Sequence, residues 1–369
     1  MAFRRSTSLL KVTISVAQVI ARVMAAAQRY LLALMIGCYL LAGLFPRPGE
    51  TLRALALRLP IEGGTFTVPM LLLAVMLMTA GLGVRVRDLG GVVRRPLRLV
   101  LGVAANAVLP AVLLPVVALC LRSWPDAGEV EFLTVGLLLV LAMPIAGGAA
   151  SWGQNAGGNV PLVVAMVVGS TLCSPFTIPW GLRTAAVLVG PGGAGSLDDT
   201  TRLDGLAGTA GAGAFALALI VLPCVAGIAA RALLGERRAA HAVPIVKAVN
   251  VVNILLLCYV NAAGALGQAL SHPDPDLLVL AIGMSGAVCW LSFLLGQWMS
   301  RWTRCDTPDG ISLTFAAGMN NTSAAAVLAA SWFAHRPQVL LPILAYSLLQ
   351  KLTAGAFGAR RRTALPTTS

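Results

Sequence analysis

Charge is what this sequence most lacks. Only 11% of its 369 residues are Asp, Glu, Lys or Arg, against about 25% in a typical soluble domain. A surface that poor in charge would not stay dissolved, which excludes a soluble enzyme. Histidine is scarce too: His241, His272 and His335 are the full set, all expected in loops, where none makes a proton relay. The seven cysteines contain no CxxC pair and are read as free, buried, small hydrophobes rather than as disulfides or metal ligands. Asp and Glu number 14, and every one falls between the apolar runs rather than within them. No Ser-His pair, Asp-Asp pair or His/Glu metal cluster is therefore available inside a span, which argues against a membrane-embedded enzyme.

Apolar length is abundant. Hydrophobic residues make up 58% of the chain, and segments of roughly 20 apolar residues, long enough for the ~30 Å hydrocarbon core, recur along it. Spans are expected near 30–45, 66–84, 97–121, 132–152, 160–182, 207–230, 246–268, 276–299, 311–332 and 338–357. The fold class is thus an all-α polytopic membrane protein of ten transmembrane helices. Residues 1–29 form a basic, amphipathic segment expected to lie on the inner leaflet. Residues 30–206 and 207–358 would hold five spans each, and residues 359–369 form a basic tail. The net charge of +13 reads as orientation rather than as nucleic-acid binding. With the N-terminus inside, 20 Lys and Arg fall in inner segments and 7 in outer ones, the positive-inside pattern. Both termini are expected on the cytoplasmic side of an inner (plasma) membrane, with the lipid bilayer as partner. Lys351, near the end of the last span, is expected to snorkel to the inner headgroups.

Five spans reverse a repeat, so two halves of five would be inverted in the membrane, a common plan in secondary transporters. Spans 4 and 9 would be counterparts, and both carry an interruption. Span 4 runs through Met143-Pro144-Ile145-Ala146-Gly147-Gly148, and then reaches Gln154, Asn155 and Gly157-Gly158-Asn159. Span 9 contains Gly318-Met319-Asn320-Asn321-Thr322-Ser323. Proline removes a backbone donor and glycine lowers helix propensity. Bare backbone groups cannot face lipid, so such breaks belong in the protein interior or beside a water-filled cavity. Close helix packing through the glycines is the plainer reading of either segment alone. Two breaks in corresponding places favour broken helices. Candidate substrate contacts are Asn320, Asn321, Thr322 and Ser323 at the second break, Gln154, Asn155 and Asn159 at the inner end of span 4, and Asn253 in span 7. Asn250 lies one turn from Asn253, and the two could face a shared cavity. Ser170, Thr171 and Ser174 are read mainly as bonding back to their own helix.

These segments resemble the bile acid:sodium symporter family. The likeness rests on Pro144, the glycine-rich bend, Gly158-Asn159-Val160, the Ser170-Thr171-Leu172-Cys173-Ser174-Pro175 ending, the Gly318-Met319-Asn320-Asn321 step, and the run from Leu82-Gly83-Val84 to Arg94-Arg95-Pro96. It covers roughly residues 70–350. The resemblance implies a panel domain of spans 1, 2, 6 and 7, and a core domain of spans 3–5 and 8–10, with broken helices 4 and 9 crossing. It implies transport of a small organic anion, usually with sodium, bound between panel and core, and it adds Asn106, before Pro110 in span 3, to the candidate substrate contacts, because Asn106 lies near a polar ion-site residue of the family.

The departures from the family pattern concern sodium. The positions of the family's ligands fall on Ala149, Ala150, Val163, Val167 and Ala316, and a methyl group offers a hard cation no oxygen. What remains is at most a weak site at Met319 and Asn320. The sequence therefore reads as a secondary transporter of a small organic anion working by alternating access, with sodium as a doubtful cofactor. A sodium-independent facilitator and a non-transporting sensor of the same fold are the alternatives.

Overall fold

The computed structural model describes residues 30–58, 65–93, 96–189, 209–271 and 274–363. The amphipathic N-terminal segment, His272 and the end of the basic tail lie outside them. The chain is an all-α polytopic membrane protein. In order, its helices are α1 (Leu31–Leu44), α2 (Pro46–Ala54), α3 (Val68–Gly83), α4 (Val86–Val93), α5 (Pro96–Leu121), α6 (Ala127–Ala142), α7 (Gly148–Asn155), α8 (Val160–Val189), α9 (Leu222–Ser271), α10 (Pro275–Trp302), α11 (Thr307–Gly318), α12 (Thr322–Trp332) and α13 (Leu340–Thr363). Among the described residues, six helical stretches are long and apolar enough to cross a membrane: Pro96–Leu121, Val160–Thr184, Gly211–Ala239, Pro244–Gly267, Pro275–Trp302 and Pro337–Ala359. The pair α1 and α2, bent by 91°, makes a seventh if taken as one span. Large apolar side chains such as Leu119, Phe176, Leu233 and Val279 stand exposed on the outside of the bundle, which suits hydrocarbon and not water.

Local chemistry sets the boundaries. The Asp126 carboxylate accepts from Gly128 N and Glu129 N to start α6, and Asp274 accepts from Leu277 N to start α10. Both satisfy orphan donors of a first turn. Within α9, Gly235 adopts φ 73°, a left-handed conformation that only glycine takes freely, and this separates two spans. Arg231 closes the corner by donating to Glu236 Oε2 at 2.9 Å and to the Leu82 carbonyl at 2.9 Å. The sequence led to no strand, yet Ala56–Arg58 and Thr65–Thr67 pair as an antiparallel ribbon. The second strand, Thr-Phe-Thr, has the β-branched and aromatic residues that favour one.

Packing divides the helices into two groups. The long α9 lies along α3, α1 and α2. The backbones touch where Gly81 meets the Cys224 carbonyl and Gly227 meets the Met78 carbonyl, so no side chain fits at either position. The other group packs α5 on α8, and α10 on α11 and α13. Its interior holds Leu133, Leu137, Leu139, Phe293, Phe315 and Tyr346, all but fully buried. The cysteines are free, as expected, but only Cys224, Cys258 and Cys289 are buried, while Cys120 and Cys173 are exposed. Apolar runs place them in spans, and a span has a lipid face as well as a buried one. His241 lies within helix α9 rather than in a loop.

Candidate functional site

Two chain breaks meet inside the second group. Helix α6 ends at Ala142 and α7 begins at Gly148; α11 ends at Gly318 and α12 begins at Thr322. The extended stretches between them pair antiparallel, Ile145 opposite Asn320. Ala146 N donates to the Met319 carbonyl at 2.8 Å and Asn321 N to the Pro144 carbonyl at 2.9 Å. Each break thereby supplies the hydrogen bonds that the other lost with its helix, which a buried backbone requires. Two helix C-termini and two N-termini converge here, bringing partial negative and positive charge to one place.

Neighbouring helices complete the crossing. Ile145 N donates to Ser170 Oγ of α8 at 3.1 Å, and Asn320 N donates to Gln350 Oε1 of α13 at 2.9 Å. Asn106 of α5 donates from Nδ2 to Asn320 Oδ1 at 2.7 Å. Asn321 Oδ1 accepts from Ala324 N at 3.1 Å and so caps α12. Thr322 Oγ1 donates to Ser347 Oγ at 3.2 Å. Asn320 Nδ2 and Tyr346 Oη, neighbours at this point, are both buried without a well-formed hydrogen bond. Their spare polar capacity is the kind that a native interior rarely leaves unused.

The candidates from the sequence therefore divide. Asn106, Asn320, Asn321 and Thr322 come together at the crossing, with Ser323 half-buried beside them. Asn159 does not join them. It donates to Asp309 Oδ1 at 2.7 Å at the far end of α11, where Arg98 of α5 pairs with both Asp309 and Asp306. The sequence puts that carboxylate in a loop; in the structure it is buried in the first turn of α11 and locks α5, α8 and α11 together. Gln154 and Asn155 are exposed at the end of α7. Asn253 donates to the Leu72 carbonyl at 2.6 Å, and Asn250 Oδ1 accepts from Thr79 Oγ1 at 3.4 Å. Both tie α9 to α3, rather than lining a shared cavity.

Ser347 and Gln350 of α13 escaped the sequence reading, which named Lys351 beside them only as a snorkelling residue. Their spacing puts three polar residues on one side of an otherwise apolar span, and that was the available signal. Lys351 does not snorkel inward: its Nζ donates back to the Ser347 carbonyl at 3.0 Å. At the other end of the group, Asp126, Glu129 and Asp274 line a hollow. Burial, and then the nearby Asp274 and Asp126 charges, raise the Glu129 carboxyl above its ordinary range, against the pull of the Trp124 indole N–H at 2.6 Å.

Where the resemblance places the family's sodium ligands, the side chains offer no oxygen. Ala149, Val163 and Ala316 are fully buried and present only carbon. The Met319 carbonyl and Asn320 Oδ1 already accept from Ala146 N and Asn106 Nδ2.

Sequence comparison assigns the chain to a family. The profile of the sodium bile acid symporter family matches residues 70–272. The uncharacterized protein YbaS of Bacillus subtilis (strain 168) is 27% identical over 231 residues, covering 60% of this chain and 67% of that one. The uncharacterized sodium-dependent transporter YocS of the same organism is 25% identical over 287 residues, covering 76% and 78%.

Proposed function

We propose that this chain, which belongs to the sodium bile acid symporter family and so is a secondary transporter and not an enzyme, carries a small organic anion by alternating access without sodium. The observation that carries the reading is the paired break. Two interrupted helices, bridged at Ile145 and Asn320, converge with their N-termini beside the buried Asn320, Asn321 and Thr322, an arrangement suited to an anionic substrate. Asn106, Asn320, Asn321, Thr322 and Ser323 are the substrate-contact residues of this reading.

The moving parts are the two packing groups. The α1–α3 and α9 group is the panel and the α5–α8 and α10–α13 group is the core, the core rocking against the panel around the crossing. Counting α1, α3, the two halves of α9 and the two broken pairs with the remaining long helices yields ten spans in two inverted sets of five. Inner segments then hold most of the basic residues, with both termini in the cytoplasm of an inner-membrane protein.

The sodium dependence in the name of the B. subtilis relative YocS is not carried over. The buried methyl groups of Ala149, Val163 and Ala316 replace oxygen where the family's ligands fall. Proteoliposomes test the whole reading. Labelled organic anions should exchange across the bilayer at equal rates in sodium and potassium buffers. Exchange of none of a broad set, or exchange in sodium alone, contradicts it.

A further inference from the structure

Lys351 lies well inside the Pro337–Ala359 span, further from its end than the sequence suggests. The inner end of that span is about 12 Å further along the helix at 1.5 Å per residue, yet the side chain turns the other way. Its Nζ donates to the Ser347 carbonyl at 3.0 Å and lies 3.4 Å from Ser347 Oγ, one turn back. That leaves part of its three-donor capacity unused. No carboxylate of the described residues forms an ion pair with it.

The ammonium sits on the seam between the two helix groups. On the core side, Ser347 Oγ accepts from Thr322 Oγ1 at the start of α12, and the adjacent Gln350 holds Asn320 N. On the panel side, Tyr39 of α1 neighbours Ser347 and Cys258 of α9, and the thiols of Cys258 and Cys289 lie within electrostatic range of the ammonium. A bond to one's own helix carbonyl is a small return for a charge placed inside a membrane span. Such a charge is costly there and marks function by default. Snorkelling is excluded by direction, and pairing within the described residues by the absence of a carboxylate.

From this we infer that Lys351 is the counter-charge for the anionic group of the transported molecule. A single carboxylate or sulfonate docks on Nζ at the seam, beside the Ser347 and Thr322 hydroxyls, and the loaded seam is then neutral. This rests on the organic-anion reading above and adds its recognition element. It also supplies what sodium would otherwise bring, since the protein carries a cation of its own. One fixed positive charge selects monoanions over dianions and over neutral analogues.

The test is thermal unfolding of purified wild type, Lys351→Met and Lys351→Arg in potassium chloride. Benzoate, 2-oxobutanoate and taurocholate serve as probes at constant ionic strength, with benzamide as the neutral control. Without probe, Lys351→Met should melt at or above the wild-type temperature, because a half-buried charge without a carboxylate partner has gone. At least one anion should stabilise wild type in a saturable way, benzamide should not, and Lys351→Met should bind that anion tenfold or more weakly. Lys351→Arg should keep part of the gain. If Lys351→Met melts well below wild type without probe and Lys351→Arg restores it, the lysine is a brace and the inference is overturned. If Lys351→Met keeps the full anion gain, the inference falls and the organic-anion reading stands. If no anion of the set moves wild type, that reading falls and takes the inference with it.

Discussion

The two helix breaks at the centre of the molecule are built differently. The first, between Ala142 and Gly148, offers backbone alone. The Pro144 carbonyl and Ala146 N pair with the opposite break, Ile145 N reaches Ser170 Oγ, and the flanking Ala149 and Ala150 carry no polar group. The second, between Gly318 and Thr322, offers backbone and side chains. Asn321 caps the next helix and Asn320 receives Asn106 through its side chain. A gap in a membrane helix can thus be closed by an opposing gap without polar side chains of its own. Amides at the second break then exceed what closure needs, and the unused Asn320 Nδ2 marks where that excess is greatest.

The comparison can be broken most severely from the far end of α11. Arg98→Met leaves the buried Asp309 carboxylate with Asn159 as its remaining partner among those seen. Removing one member of a buried ion pair costs about 3–5 kcal/mol, so the largest fall in melting temperature is expected here. Next comes the second break itself. Gln350→Leu strands Asn320 N, a buried donor, at a cost of about 1–3 kcal/mol. The first break should be indifferent by contrast. Gly147 has a helical φ of −57° and its nearest neighbour to an added Cβ is 4.0 Å away. Gly147→Ala should therefore change stability by no more than about 0.5 kcal/mol, which detergent melting curves of the three variants can rank.

The smallest effect is expected outside both breaks, at the hollow lined by Glu129. A Glu129 carboxyl raised in the folded state binds its proton more tightly there than in the unfolded chain. Its contribution is therefore most favourable below the ordinary carboxyl range and is lost as pH rises through the raised value. Acidification through that window should raise the melting temperature of wild type relative to Glu129→Gln, and the two curves should cross over nowhere else. A pH dependence of the opposite sign would show that Trp124 outweighs burial.

Much of this architecture was legible in the sequence because the physics of lipid is strict. Pro144, Gly147 and the Asn320-Asn321 pair stand out in apolar runs, since interrupted backbone and adjacent amides must find partners away from hydrocarbon. Asn106 came instead from the family resemblance, and the 2.7 Å bond to Asn320 joins it to the second break. What stayed hidden depended on direction. Asn253 and Asn250 are one turn apart whichever way the helix is turned, and only packing shows that they face α3. Lys351 could reach inward or back toward Ser347 from the same position, and a rotamer decides which. Gln350 looked unremarkable until Asn320 N needed an acceptor from another helix.

Melting of the purified protein in sodium, potassium and choline chloride at equal ionic strength tests the central claim most directly. A cation that binds only the folded state adds RT ln(1 + [L]/Kd), about 2.7 kcal/mol at 100 times Kd. With methyl groups at Ala149, Val163 and Ala316 and an ammonium at the seam, the three salts should give one melting temperature. A saturable rise specific to sodium would contradict the account and place a working sodium site among these residues.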